Sequence, residues 1–344
     1  MANLVALPPT DRRKYWPSED WVESDIKFDL DDLLGYEADK RLNLGQTFAT
    51  VIIKSGYLIR EFYGYEVPSF SKHQNITSQT KLLSWSVAKS ILHAIVGIAV
   101  QDNLVELNEC DLFDEWKNDD RSLIRLKDLL EMRDGLEFVE NYDNETVSDV
   151  IKMLFGSPAV DMSGYALSKP LIHRPSEYFN YSSGTSNIIS RLLFERLGGQ
   201  EQFDSYVYTR LFDVIGMKSI DLKYDDAGVW IASSYAYATA RDFAKFGFLY
   251  LNSGMWSNDD ILESSWVDYA RTPISLDLDS GTKYGSLWWV LDDEFGTFWA
   301  DGFEGQLVVV CPKLDVVIVR FGKTGQDIKE NLNNWVVEVL NRLR

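Results

Sequence analysis

Residues 84–103, SWSVAKSILHAIVGIAVQDN, constrain this chain most: a long apolar run opens on a hydroxyl and an amine three positions apart. Ile91, Leu92, Ile95, Val96 and Ala99 recur at helical spacing, which predicts a buried helix with Ser86 and Lys89 on one face of its first turn. A serine hydroxyl is a weak nucleophile until a neighbour takes its proton, and a lysine held against apolar walls loses proton affinity and can be that neighbour. The free N–H groups and dipole of a helix start favour negative charge developing at the same place. The bland alternative is that Ser86 merely caps a core helix.

Spacing alone does not decide between these, because Ser-x-x-Lys also occurs at Ser24/Lys27, Ser69/Lys72, Ser78/Lys81 and Ser280/Lys283. Those four lie in polar stretches; the Ser86 pair opens an apolar helix. At 344 residues, 45% of them hydrophobic, the chain can bury a large core or two packed subdomains. A net charge of −19 argues against non-specific binding to nucleic acid or anionic membranes. The two cysteines, Cys110 and Cys311, fit neither a disulfide framework nor a zinc site, Cys311 reads as core, and no metal or other cofactor is implied. No basic region precedes an apolar one at the N-terminus, where Pro8-Pro9 interrupts, and no run of about eighteen apolar residues occurs. A cytoplasmic chain is expected, or a periplasmic or secreted one if a leader was removed. The sequons at Asn75 and Asn144 read as chance matches.

Along the chain, 30–43 reads as a helix, and 47–54 and 57–65 as a hairpin turned at Ser55-Gly56. Helical patterns follow near 122–133, 146–155, 184–197, 201–214, 239–252 and 259–270. The texture then becomes strand-like at 287–291, 297–300, 306–311 and 316–321, with a final amphipathic helix over about 327–343. Strands at both ends with helices between predict an α/β (α+β) fold. In it an antiparallel sheet from both chain ends (1–80 and 235–344) is flanked by helices, and 81–234 forms an inserted, mainly helical domain.

A lysine-assisted serine needs a second proton carrier to reach the leaving group, and a tyrosine can serve if cations hold it partly ionised. Tyr181 lies in a Pro-started polar loop, 174–184, that leads into an apolar helix. A second oxyanion donor is normally a backbone N–H on a strand edge, and Phe298–Gln306 offers an aromatic strand ending in glycines, Gly302 among them, that admit close approach. Of the histidines, His93 on the nucleophile helix reads as core, and His73 and His173 as loop residues, so a Ser-His-Asp triad is the weaker alternative.

Ser86-Val87-Ala88-Lys89, Tyr181-Ser182-Ser183 and Ala300-Asp301-Gly302, in that order, resemble the three signature elements of the serine β-lactamase and penicillin-binding-protein superfamily. Segments 129–136, 240–247 and 305–320 are similar to its class C-like branch, nearest to the 6-aminohexanoate-dimer hydrolases and related carboxylesterases. The resemblance covers roughly residues 45–340. It implies a site in a cleft between the two domains, an acyl-enzyme on Ser86, Lys89 as base, Tyr181 as proton relay, and the N–H groups of Ser86 and Phe303 as oxyanion donors. It further implies that Trp230, Tyr235 and Tyr142 line the cleft and that the partner is a small ester or amide; a homodimer is left open.

Two positions depart from the signatures. The second element ends in Ser183 instead of Asn, and the third begins with Ala300 instead of Lys or His, so the cation that engages a substrate carboxylate is missing. That disfavours β-lactamase or D-amino-acid peptidase activity relative to esters and non-peptide amides. A catalytically silent binding or scaffolding relative is the rival from another class. Lys323-Thr324-Gly325 spells the usual third element but falls too late in the chain.

Overall fold

The computed structural model describes residues 4–66, 74–142 and 148–344. His73, Lys72, Ser69 and the Asn144 sequon lie outside the described residues. An eight-stranded sheet forms the frame: β1 (Gln46–Lys54), β2 (Tyr57–Tyr63), β3 (Ser275–Leu276), β4 (Lys283–Tyr284), β5 (Trp289–Val290), β6 (Phe298–Gly302), β7 (Gln306–Cys311) and β8 (Val316–Lys323). Their spatial order is β3-β4-β5-β6-β7-β8-β1-β2, with neighbours antiparallel throughout. The sheet is therefore assembled from the two ends of the chain, closed by the pairing of β1 with β8.

Strands β7 and β8 are apolar without alternation because both their faces are covered. Val308, Val310, Val317 and Val319 face a core shared with helices Val87–Gln101 and Ala240–Leu251. Leu307, Val309, Cys311, Val316 and Ile318 face the C-terminal helix Lys329–Arg342 through Leu332, Trp335, Val336, Val339 and Leu340. Each such side chain stabilises the fold by about 1.5–3 kcal/mol. Helix Ala240–Leu251 approaches so closely that a Cβ on Gly247 would sit 2.7 Å from Val317 Cγ1.

Three helical expectations are corrected. Over 30–43 the chain makes a short turn, Asp31–Leu33, and a separate helix, Tyr36–Leu42, because Gly35 takes φ 98° between them. The pattern near 122–133 is split into a 3-10 turn, Asp120–Leu123, and a short helix, Leu126–Leu130, ended where Met132 turns left-handed at φ 54°. Near 259–270, residues Asp259–Asp260 instead pair with Met255–Trp256 in a hairpin, and the helix begins at Ser264. Among the described residues no helix is long and apolar enough to cross a membrane.

Candidate active site

Ser86 stands where the chain leaves a small sheet and enters helix Val87–Gln101. Leu82–Leu83 pairs with Ala236–Ala238, and Ser84 secures the following turn: its N–H donates to Ala236 O at 2.9 Å and its Oγ donates to Ser234 O at 3.1 Å. Trp85 is thereby held at φ 44°, a left-handed conformation costing about 1–2 kcal/mol. Ser86 occupies the cap position but makes no side-chain cap bond. Its hydroxyl is engaged by Lys89 instead.

Lys89 is 1% exposed, and its Nζ has three partners: Ser86 Oγ at 2.9 Å, Ser183 Oγ at 3.1 Å and Ser233 O at 3.0 Å. Burial lowers its proton affinity to about 8, opposed by the Glu140 carboxylate. A neutral amine has two N–H donors and one lone pair. With the donors on Ser183 and the Ser233 carbonyl, the lone pair is left for the Ser86 proton.

Ser182 caps helix Ser183–Leu197 by accepting from Thr185 N–H at 3.0 Å, which sets Tyr181 and Ser183 on either side of the cap. The Tyr181 ring lies 4.9 Å from Lys89 Nζ and packs on Tyr284 and Trp289. Burial raises the Tyr181 phenol well above its ordinary value, Glu140 and Asp301 raise it further, and interaction with the Ser86 side chain opposes them. Burial above all, with the two carboxylates behind it, thus favours the neutral hydroxyl of Tyr181 over a partly ionised phenol.

Strand β6 closes the other side. A Cβ on Gly302 would fall 2.5 Å from Ser84 O and 3.1 Å from Trp85 Cβ, so only glycine lets the strand end abut the turn before Ser86. Phe303 follows in the 302–305 turn, its carbonyl accepting from Gln306 Nε2 at 2.9 Å. Arg320, also buried, donates to Gly305 O at 3.0 Å. Among the described residues, the N–H groups of Ser86 and Phe303 have no acceptor. An aromatic wall adjoins them, with Phe303 stacked on Tyr142 at 4.8 Å and against Trp85 at 5.5 Å, and Trp85 beside Tyr235 at 6.2 Å.

Trp230 is corrected from cleft to core. It is 1% exposed, packs on Phe203 and donates Nε1–H to Tyr235 O at 3.0 Å. It braces the 230–235 turn that carries the Ser233 carbonyl. His93 is core: Nδ1 meets Tyr250 OH at 2.7 Å, its ring stacks on Trp266, and burial lowers its proton affinity to about 3. His173 stacks on Tyr178. Lys323 ends β8, two strands from β6, with Nζ 3.7 Å from Glu304. Ala300 leaves the third element without its own cation; nearby Lys329 is bonded to Asp301 at 2.6 Å.

Two participants escape sequence reasoning. Ser233 contributes through its main chain, oriented by Asn187 Oδ1, which accepts from Ser233 N–H at 3.1 Å. Glu140 accepts from Ser183 Oγ at 2.6 Å, Ser183 N–H at 2.8 Å and Tyr142 OH at 2.7 Å. Its one sequence signal is an acidic residue closing the loop after Arg133-Asp134-Gly135-Leu136, and acidic loop residues are common. Among the described residues no group of three or more His, Cys, Asp or Glu side chains could hold a metal ion.

An antiparallel sheet with one strand end set against the turn that opens a Ser-x-x-Lys helix is the architecture of the β-lactamase-like class of serine hydrolase folds. Residues 47–340 match the β-lactamase family model, and the chain belongs to that family. Beta-lactamase-like protein 2 of Dictyostelium discoideum is 26% identical over 41% of this chain and 29% of its own length. The 6-aminohexanoate-dimer hydrolase of Paenarthrobacter ureafaciens is 25% identical over 41% of this chain and 38% of its own length. The chain thus matches less than half the length of these curated relatives. A Bacillus anthracis structure assigned as a 6-aminohexanoate-dimer hydrolase shares the fold, with TM-score 0.75 and 22% identity over 98% of this chain and 90% of that one.

Proposed function

We propose that the chain hydrolyses small esters or non-peptide amides through an acyl-enzyme on Ser86. One observation carries the reading: Lys89 is buried, its Nζ contacts the Ser86 hydroxyl, and its remaining donors have acceptors. As Ser86 Oγ bonds to the substrate carbonyl carbon, its proton passes to the neutral amine of Lys89. The carbonyl oxygen becomes an oxyanion opposite the N–H groups of Ser86 and Phe303, each donor being worth about 3 kcal/mol. When the tetrahedral centre collapses, the leaving group takes a proton through Tyr181, which Lys89 resupplies. Water then attacks the acyl-enzyme with the same groups in reverse order, and the acid product leaves.

The charge inventory supports substrates without a free carboxylate near β6, since Ala300 offers no cation and Asp301 occupies Lys329. The aromatic wall of Trp85, Phe303, Tyr142 and Tyr235 suits an apolar acyl group. A panel of p-nitrophenyl esters, linear amides and nitrocefin, run beside Ser86→Ala, tests this. Ester or amide turnover exceeding nitrocefin turnover and lost in Ser86→Ala is expected. Equal rates for wild type and Ser86→Ala would favour a silent binding relative.

A further inference from the structure

We propose that Glu140, outside the three signature segments, is a positioning residue that holds Lys89 through Ser183 and stands as the countercharge to its amine. The proposal rests on the reading of Lys89 as the base for Ser86.

Glu140 grips Ser183 at two points, Oε2 on its backbone N–H at 2.8 Å and Oε1 on its hydroxyl at 2.6 Å. A serine hydroxyl has one proton, and with that proton on Glu140 the Ser183 oxygen faces Lys89 as an acceptor only. A lone serine in this place would be free to rotate. The carboxylate removes that freedom, so Ser183 and Glu140 together supply the fixed acceptor that Ser183 alone does not. Tyr142, donating to Glu140 at 2.7 Å, fixes the carboxylate in turn.

Several groups face this centre. They are Tyr181 from the 174–182 loop, Tyr142 and Glu140 from the 136–142 segment, Tyr284 from β4, and Asp301 with its partner Lys329 at the end of β6. Of these, Glu140 is the carboxylate linked to Lys89 by a continuous hydrogen-bond chain. Burial drives the Lys89 proton off and Glu140 pulls it back. The ammonium formed when Ser86 attacks therefore meets a carboxylate one serine away.

The test is the pH dependence of p-nitrophenyl ester kcat/KM and of Ser86 modification by a fluorophosphonate, in wild type, Glu140→Gln, Glu140→Asp and Ser183→Ala. Glutamine keeps the size and removes the charge, so the acidic limb should move down by roughly one to two pH units, as expected for unit charges about 6 Å apart at an effective dielectric near 20. Aspartate keeps the charge and should leave the limb near its wild-type position even where kcat falls. Should the glutamine variant fail to fold, Ser183→Ala should still move the limb down, because it deletes the acceptor of the ammonium proton. An acidic limb unmoved by either substitution, whatever happens to kcat, overturns the proposal. A wild type that the fluorophosphonate does not modify overturns the hydrolase reading beneath it.

Discussion

Replacing Gly302 by alanine should cripple the site while leaving the fold intact. The added methyl carbon would lie 2.5 Å from the Ser84 carbonyl oxygen and 3.1 Å from Trp85 Cβ. Ordinary contact begins near 3.4 Å, so β6 must retreat from the 84–86 turn by roughly 1 Å. Ser84 is anchored to Ser234 and Ala236, which leaves the strand end to move. Phe303 is the next residue, and its N–H is the proposed second oxyanion donor. A misplacement of about 1 Å costs on the order of 100-fold, and full loss of one donor about 100- to 1,000-fold, or ~3–4 kcal/mol. The assay is kcat on a p-nitrophenyl ester at saturation, with thermal melting in parallel. A fall of about two orders of magnitude with a melting temperature within a few degrees of wild type is expected. Activity within threefold of wild type would refute the placement of Phe303 as an oxyanion donor.

With Lys89 near 8, kcat/KM should rise with pH as the amine loses its proton, and at pH 6 should be about 100-fold below its plateau; a flat profile from pH 6 to 9 would exclude Lys89 as base. Asp134 is buried, and burial raises its carboxyl to about 6 against the bonds it accepts from Thr185 and Leu136. Well below its ordinary value of 3.8 it is neutral folded and unfolded alike, whereas above 6 the folded state holds a desolvated charge. The penalty is about 3 kcal/mol, and urea unfolding of Asp134→Asn should show its relative stability rising by up to that amount from pH 4 to 7. Trp230→Phe, deleting the donor that braces Tyr235 O, should cost about 1 kcal/mol of stability in urea unfolding.

Much of this architecture can be read from residue pattern. The unbroken apolar runs of β7 and β8 announce strands covered on both faces, and the helix behind Ser86 follows from its periodicity. What pattern misses is decided by single backbone angles and by burial. Gly35, whose positive φ opens helix Tyr36–Leu42, and Met132, left-handed just after Leu126–Leu130, set helix bounds that composition does not reveal. Trp230 carries the residue type of a cleft aromatic, but packing draws it into the core. A tyrosine relay could be held partly ionised by cations, but burial comes first at Tyr181 and two carboxylates act on it as well, one of which, Glu140, has no motif. The Ser233 carbonyl cannot be read from side-chain identity at all, because it acts through the main chain.

In the proposed mechanism Lys89 makes Ser86 nucleophilic. Mass spectrometry of the intact protein and its peptides, after reaction with a slow-turnover aryl ester, tests it directly in wild type and Lys89→Met. One acyl group on Ser86 is expected in wild type, with formation slowed by roughly three orders of magnitude in the variant. An acyl group on another residue, or equal rates in the two proteins, would contradict it.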